Sequence, residues 1–235
     1  SRGALLGLVG GLALVILALG WRVWLPLSLA LALLLLAGSG PLPILPSGFV
    51  GRALEVTDYL GTQDLATVEI NDDNFAVIER LAHWRAAWLM FERQPWLGVG
   101  AGQYADEYPA AALPRWQDPL GHAHNYILHV MAEGGLLGLA GYLLLSVASF
   151  AALWRAARTP ASPGRDAWSR TVGLAALGMW GHLMAHNLFD NLYVHGMYLL
   201  VAMMLGLAVA HSPANRIRSG ATRRMASYPQ TVEAS

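Results

Sequence analysis

Five stretches of the chain are apolar for long enough to cross a membrane as helices. Residues 4–20 carry no charge, and after the turn made by Trp21 and Arg22 a second uncharged run extends over 23–37, which predicts a tight helical hairpin. A third run covers about 126–153, a fourth 171–186 and a fifth 192–210. Each approaches the roughly 20 apolar residues that span a hydrocarbon core of about 30 Å. The predicted fold is all-α and polytopic: a transmembrane hairpin at 1–38, an external loop at 39–121 that contains helices, three transmembrane helices within 122–211, and a disordered cytoplasmic tail at 212–235, rich in Ser, Ala, Pro and Arg.

The loop is too long to be a bare connector, because structureless stretches beyond about 15 residues are uncommon unless functional or disordered. "NDDN" at 71–74 offers side-chain oxygens to the free N–H groups of "FAVIERLAHWRAAWLMFERQ", and Pro95 ends that segment, which predicts an amphipathic helix over 74–94. Phe75, Ile78, Leu81, Ala82, Trp84, Trp88 and Leu89 give it a broad apolar surface suited to the bilayer or the bundle, and Arg80 and Trp84 share one face. In "PWLGVGAGQY" Gly98, Gly100 and Gly102 alternate. Lacking both the strand-then-helix context of a dinucleotide site and the Gly-Lys-Ser of a P-loop, this triplet reads as a flexible turn through which the chain re-enters the bundle.

Composition agrees with the pattern: 55% hydrophobic residues, 13% charged residues and a mean hydropathy of +0.42 exclude an ordinary soluble domain. With no cysteine, disulfide and thiol chemistry are excluded too. Charge sets the orientation. There is no lysine; Arg22, Arg155, Arg158, Arg165, Arg170, Arg216, Arg218, Arg223 and Arg224 fall in the short connections and tail, opposed there by Asp166 and Glu233. The long loop is net negative, with five arginines (Arg52, Arg80, Arg85, Arg93, Arg115) against eleven acidic residues. Positive residues favour the cytoplasmic side, so the N-terminus and the loop are expected outside. The chain opens on "SRGALLGL" without methionine, which predicts a fragment whose upstream helices are missing and which has little activity alone.

Ionisable groups at a membrane are costly and point to function. Here they gather on the external side: Arg2, then His122, His124 and His129, then His182 and His186, then Asp190 and His195. Two chemistries suit such a set. His122 and His124, or His182, His186 and Asp190 at i, i+4 and i+8, have spacings that permit metal ligation. Alternatively, a neutral histidine acts as general base while arginine forks hold phosphate oxygens.

"SRGA" heading a helix, Arg80-x-x-x-Trp84 in the external loop, "PWLGVGAGQY", and "HAHNYILHVMAEGGLLG" entering the next helix together resemble the C-terminal half of the O-antigen ligase and polymerase superfamily, in order and over nearly the whole chain. The resemblance implies a bacterial inner-membrane glycosyltransferase with its active site on the periplasmic side. Such an enzyme moves a glycan from undecaprenyl diphosphate to an acceptor hydroxyl on a lipid A core sugar, another glycan or a protein, with inversion and without metal or cofactor. It further implies that Arg2 and Arg80 bind the donor diphosphate and that His124 is the catalytic base. Arg85 remains a second candidate for phosphate, and His122, Asn125, His186 and Asp190 are supporting candidates. Asn125 is also suited to capping the helix, and His129 to pairing with Glu133 one turn on. No nucleic-acid partner is expected. Two rivals stay open: a flippase or transporter for polyprenyl-linked glycan, and a metal-dependent membrane hydrolase built on the histidines.

Overall fold

The computed structural model describes residues 2–38, 65–72, 74–158, 167–194 and 196–210. The expectations for Arg52, Arg165, His195, the first part of the loop and the tail lie outside the described residues, as does the side chain of Arg2. The described residues form helices and turns without strands. Helices α1 (Arg2–Leu19) and α2 (Trp21–Gly38) are joined at Gly20, with φ of 99°. α3 (Phe75–Arg93) and the short α4 (Tyr104–Glu107) belong to the loop; α5 (Tyr126–Arg158), α6 (Ala167–His186) and α7 (Met197–Ala210) follow. Among the described residues only α5 is both long and apolar enough to cross a membrane, while Gly3–Leu19 and Met197–Ala210 are shorter apolar helices.

α1 and α6 pack through small residues. Gly3, Gly7 and Gly11 repeat at one-turn spacing, and a Cβ on Gly11 would stand 2.5 Å from the Gly178 carbonyl oxygen. On α6, a Cβ on Gly181 would stand 3.2 Å from the Gly10 oxygen. Close backbone approach of this kind supplies the van der Waals contact on which helix association in lipid depends. Near one end of the bundle Ala18, Leu153, Ala157, Val172, Ala176 and Ala208 share a core, which puts Arg22 and the Arg155 and Arg158 turn together. At the other end Gly3 meets the His186 ring, and the Tyr126 N–H donates to the Asn187 carbonyl at 2.9 Å. Arg22, Arg155 and Arg158 therefore lie at the opposite end from the histidine cluster.

Three local expectations change. First, Asn74, the residue before the first turn, does not cap α3 through its side chain. Asn74 Oδ1 accepts from the Asn71 N–H at 2.9 Å and Asn71 Oδ1 from the Asn74 N–H at 3.0 Å, so the two asparagines satisfy each other just before the helix. Second, α5 is interrupted at Gly135, whose φ of 60° and ψ of −155° are open in practice only to glycine. The glycine-rich turn docks into that break: Val99 N–H donates to Ala132 O at 2.8 Å, Gly100 N–H to Glu133 O at 3.0 Å, and Leu136 N–H to Pro95 O at 2.8 Å. The Glu133 carboxylate accepts from the Gly102 and Tyr104 N–H groups at 3.0 and 3.1 Å. The segment is thus a pinned turn. Beyond the break, Leu136 to Arg158 measures about 34 Å at 1.5 Å per residue, enough to cross the hydrocarbon. Third, the last helix begins at Met197, because asparagine side chains take the backbone donors before it: Leu192 N–H donates to Asn187 Oδ1 and Tyr193 N–H to Asn191 Oδ1, both at 2.9 Å.

Candidate active site

The "HAHN" segment is anchored by the residue between its histidines. Ala123 is fully buried in a core with Ala86, Ala87, Met90, Tyr104, Tyr108 and Ala132, which leaves His122 and His124 to flank that anchor with rings edge-on at 4.4 Å. His124 has φ of 52°, a conformation uncommon for a residue with a Cβ. Its backbone is held on both sides: the carbonyl accepts from Trp84 Nε1 at 3.1 Å, and the N–H donates to His122 Nδ1 at 3.2 Å. Asn125 closes the segment. Its Oδ1 accepts from the Leu128 N–H at 3.1 Å, capping α5, while its Nδ2 donates to the Leu188 carbonyl at 3.0 Å. Residues 122–126 are in this way tied to the turn after α6.

That turn delivers Asp190. Its Oδ1 lies 3.4 Å from His124 Nδ1 and also accepts from the Asn191 N–H at 2.9 Å. A carboxylate facing Nδ1 favours the tautomer with its proton there and leaves the Nε2 lone pair unprotonated. His124 Nε2 is buried and has no hydrogen-bond partner among the described residues. The hydrogen bond from His124 is the main cause that holds the Asp190 carboxyl down at about 2; the Asn191 N–H and the positive charge of Arg80 act in the same direction. Burial pushes the His122 imidazole down to about 4, and the neighbouring His124 adds to the effect.

Of the residues singled out from sequence, His122, His124, Asn125 and Asp190 converge. Arg80, half-buried on α3, lies close enough for its charge to act on Asp190, and its Nη1 donates to the Ala76 carbonyl at 2.7 Å. Arg80 and Trp84 share a helical face as expected. Arg85 is exposed, about 140° round α3 from Arg80 by the 3.6-residue period. Arg2 is the first residue of α1, preceding Gly3, whose backbone approaches the His186 ring. His186 is buried, edge-on to His182 at 5.5 Å. The expected i, i+4, i+8 row of His182, His186 and Asp190 does not form, because α6 ends at His186 and Asp190 turns to His124. His129 stands 3.7 Å from Glu133, in the pairing its spacing suggested.

Sequence reasoning missed a buried wall behind His124. His83, 1% exposed, stacks on Tyr108 at 4.7 Å, has Nδ1 3.2 Å from the Tyr104 hydroxyl, and meets the His124 ring edge-on at 5.4 Å. Burial lowers the His83 imidazole to about 4, helped by His124 and His122, and raises the Tyr108 phenol to about 12. The available signals were the i+3 spacing of His83 from Arg80 and the i, i+4 spacing of the two tyrosines. Among the described residues, one ligand atom each from His122, His124 and Asp190 lie within 4.8 Å of one another, close enough for a metal ion.

Compared with known proteins, residues 1–143 match the family model described as O-antigen ligase. No curated protein matches the chain.

Proposed function

This chain belongs to the O-antigen ligase family, whose general role is glycan transfer at a membrane, and on that premise we propose that it is an inverting, metal-independent glycosyltransferase with undecaprenyl-diphosphate-linked glycan as donor. The observation that carries the reading is the His124 ring, with Nδ1 toward Asp190 and a buried Nε2 that has no partner among the described residues. Nε2 takes the proton of the acceptor hydroxyl as that oxygen attacks the anomeric carbon. The carbon–oxygen bond to the diphosphate breaks, undecaprenyl diphosphate departs, and the proton rests on an imidazolium that Asp190 stabilises until it passes to solvent or product. General base action of this kind contributes about 10²–10⁴-fold.

Arg80 and Arg2 bind the donor diphosphate and offset the charge that grows on it as it leaves. The position of Arg80 near Asp190 supports its half of this role. An apolar cleft of about 560 Å³ between α1, α5 and α6, lined by Leu14, Ile127, Met184 and Leu188, suits the donor's lipid tail. The arginine end of the bundle faces the cytoplasm and the site faces the periplasm across the inner membrane, with α1, α2, α5, α6 and α7 as the five spans. The acceptor is a hydroxyl of a lipid A core sugar, a glycan end or a protein.

The test is to incubate full-length protein in detergent with lipid-linked glycan and a candidate acceptor panel. Glycan covalently joined to acceptor supports transfer. Tight donor binding with the donor wholly uncleaved overturns it in favour of a flippase, which needs the same diphosphate contacts and no bond cleavage.

A further inference from the structure

We infer that His122, His124 and Asp190 form a binding site for a zinc-class divalent metal ion, and that filling it switches transfer off. The second half rests on the general-base reading above. A zinc ion bonds to imidazole nitrogen and carboxylate oxygen at about 2.0–2.2 Å, and a tetrahedral angle then sets two such ligands about 3.4 Å apart. His124 Nδ1 and Asp190 Oδ1 are 3.4 Å apart. That separation, at the long end for an N–H···O hydrogen bond, also matches the edge of a coordination tetrahedron. His122 supplies the third ligand: its donor atom lies within 4.8 Å of the other two. Three protein ligands leave one position open, as in zinc sites that exchange their fourth ligand.

The spacing of the ligands is built in. Ala123 is locked in the core, Asn125 ties the segment to the Leu188 carbonyl, and Asp190 follows on that same turn. The positive charge of Arg80 acts on Asp190 and weakens the binding of a cation there. Inhibition follows from proton placement. Metal on Nδ1 moves the single imidazole proton to Nε2, with no net proton released, and a protonated Nε2 cannot accept the proton of the attacking hydroxyl.

The experiment is a Co²⁺ titration of full-length protein in detergent, read by the intense visible absorption of tetrahedral Co²⁺ and its displacement by Zn²⁺. The expected result is one site per chain, lost in His122→Ala and in Asp190→Asn with affinity weakened at least about tenfold, and retained in His182→Ala. Folding of each variant is checked by thermal melting. Only octahedral Co²⁺ absorption in the wild type, or a tetrahedral band that survives in a folded His122→Ala variant, overturns the site. With the site confirmed, Zn²⁺ should inhibit transfer at the concentrations that fill it, reversibly with chelator; undiminished transfer at full occupancy overturns the switch. Absence of any transfer activity alongside tetrahedral binding overturns the glycosyltransferase reading and leaves the metal site standing.

Discussion

Replacing Asp190 with asparagine keeps the shape of the side chain and removes its charge, which isolates what the carboxylate does for His124. The carboxyl is held at about 2 against an ordinary 3.8, chiefly by the hydrogen bond from His124. That difference is about 2.4 kcal/mol at 1.36 kcal/mol per pKa unit, and because Asp190 is 31% exposed, solvent screening reduces it to about 1–2 kcal/mol. Loss of that stabilisation for the imidazolium slows the chemical step about 5- to 30-fold. The amide N–H of asparagine can also donate to Nδ1 and force the proton onto Nε2, the tautomer without a base, which brings the expected fall in kcat to about 100-fold. Donor KM should move little, since Arg80 is untouched. Because the folded-state pKa is depressed, the stabilisation is present above about pH 4 and lost as pH falls toward 2. Thermal melting of wild type should therefore show an acid-side decline in this window that is smaller in Asp190→Asn. Steady-state transfer kinetics decide the catalytic part: a kcat within twofold of wild type, or a change confined to donor KM, refutes the orienting role of Asp190.

Trp84→Phe keeps the aromatic bulk but removes the donor to the His124 carbonyl; loss of about 1 kcal/mol in holding that left-handed backbone should lower kcat several-fold at unchanged donor KM in the same kinetic assay. Arg80→Ala should raise donor Kd, measured by binding of lipid-linked glycan, by tenfold or more, for the roughly 1.5–3 kcal/mol of a charge-assisted hydrogen bond. Gly135→Ala places a Cβ 2.4 Å from the Trp96 carbonyl carbon at φ of 60° and should destabilise by about 3 kcal/mol, whereas a Cβ on Gly141 meets nothing within 4 Å and Gly141→Ala should be neutral or stabilising in thermal melts.

The helices were legible because hydropathy alone fixes where an apolar chain can run, and α1, α2, α5 and α6 follow the apolar runs to within a few residues. The break in α5 was not, since a glycine in "AEGGLLG" reads the same whether it continues a helix or admits a partner strand of chain; its left-handed conformation comes from the docked turn at 95–100. His124 and Asn125 could be found from the polar residues placed before an apolar run. The link from His124 to Asp190 could not, because helical periodicity aligned Asp190 with His186, and the helix stops there when Asn187 takes the Leu192 N–H. His83 stayed hidden among the apolar residues of α3, although its burial between two tyrosines makes it a wall of the site.

The central claim is that His124 is the general base and that donor capture is separate from it. The direct measurement is the single-turnover transfer rate of full-length protein at saturating donor, wild type against His124→Gln, with donor Kd determined on the same samples. The expected result is a rate lower by about 10²–10⁴-fold with donor Kd unchanged; a His124→Gln rate within a factor of about ten of wild type, with donor still bound, contradicts the assignment.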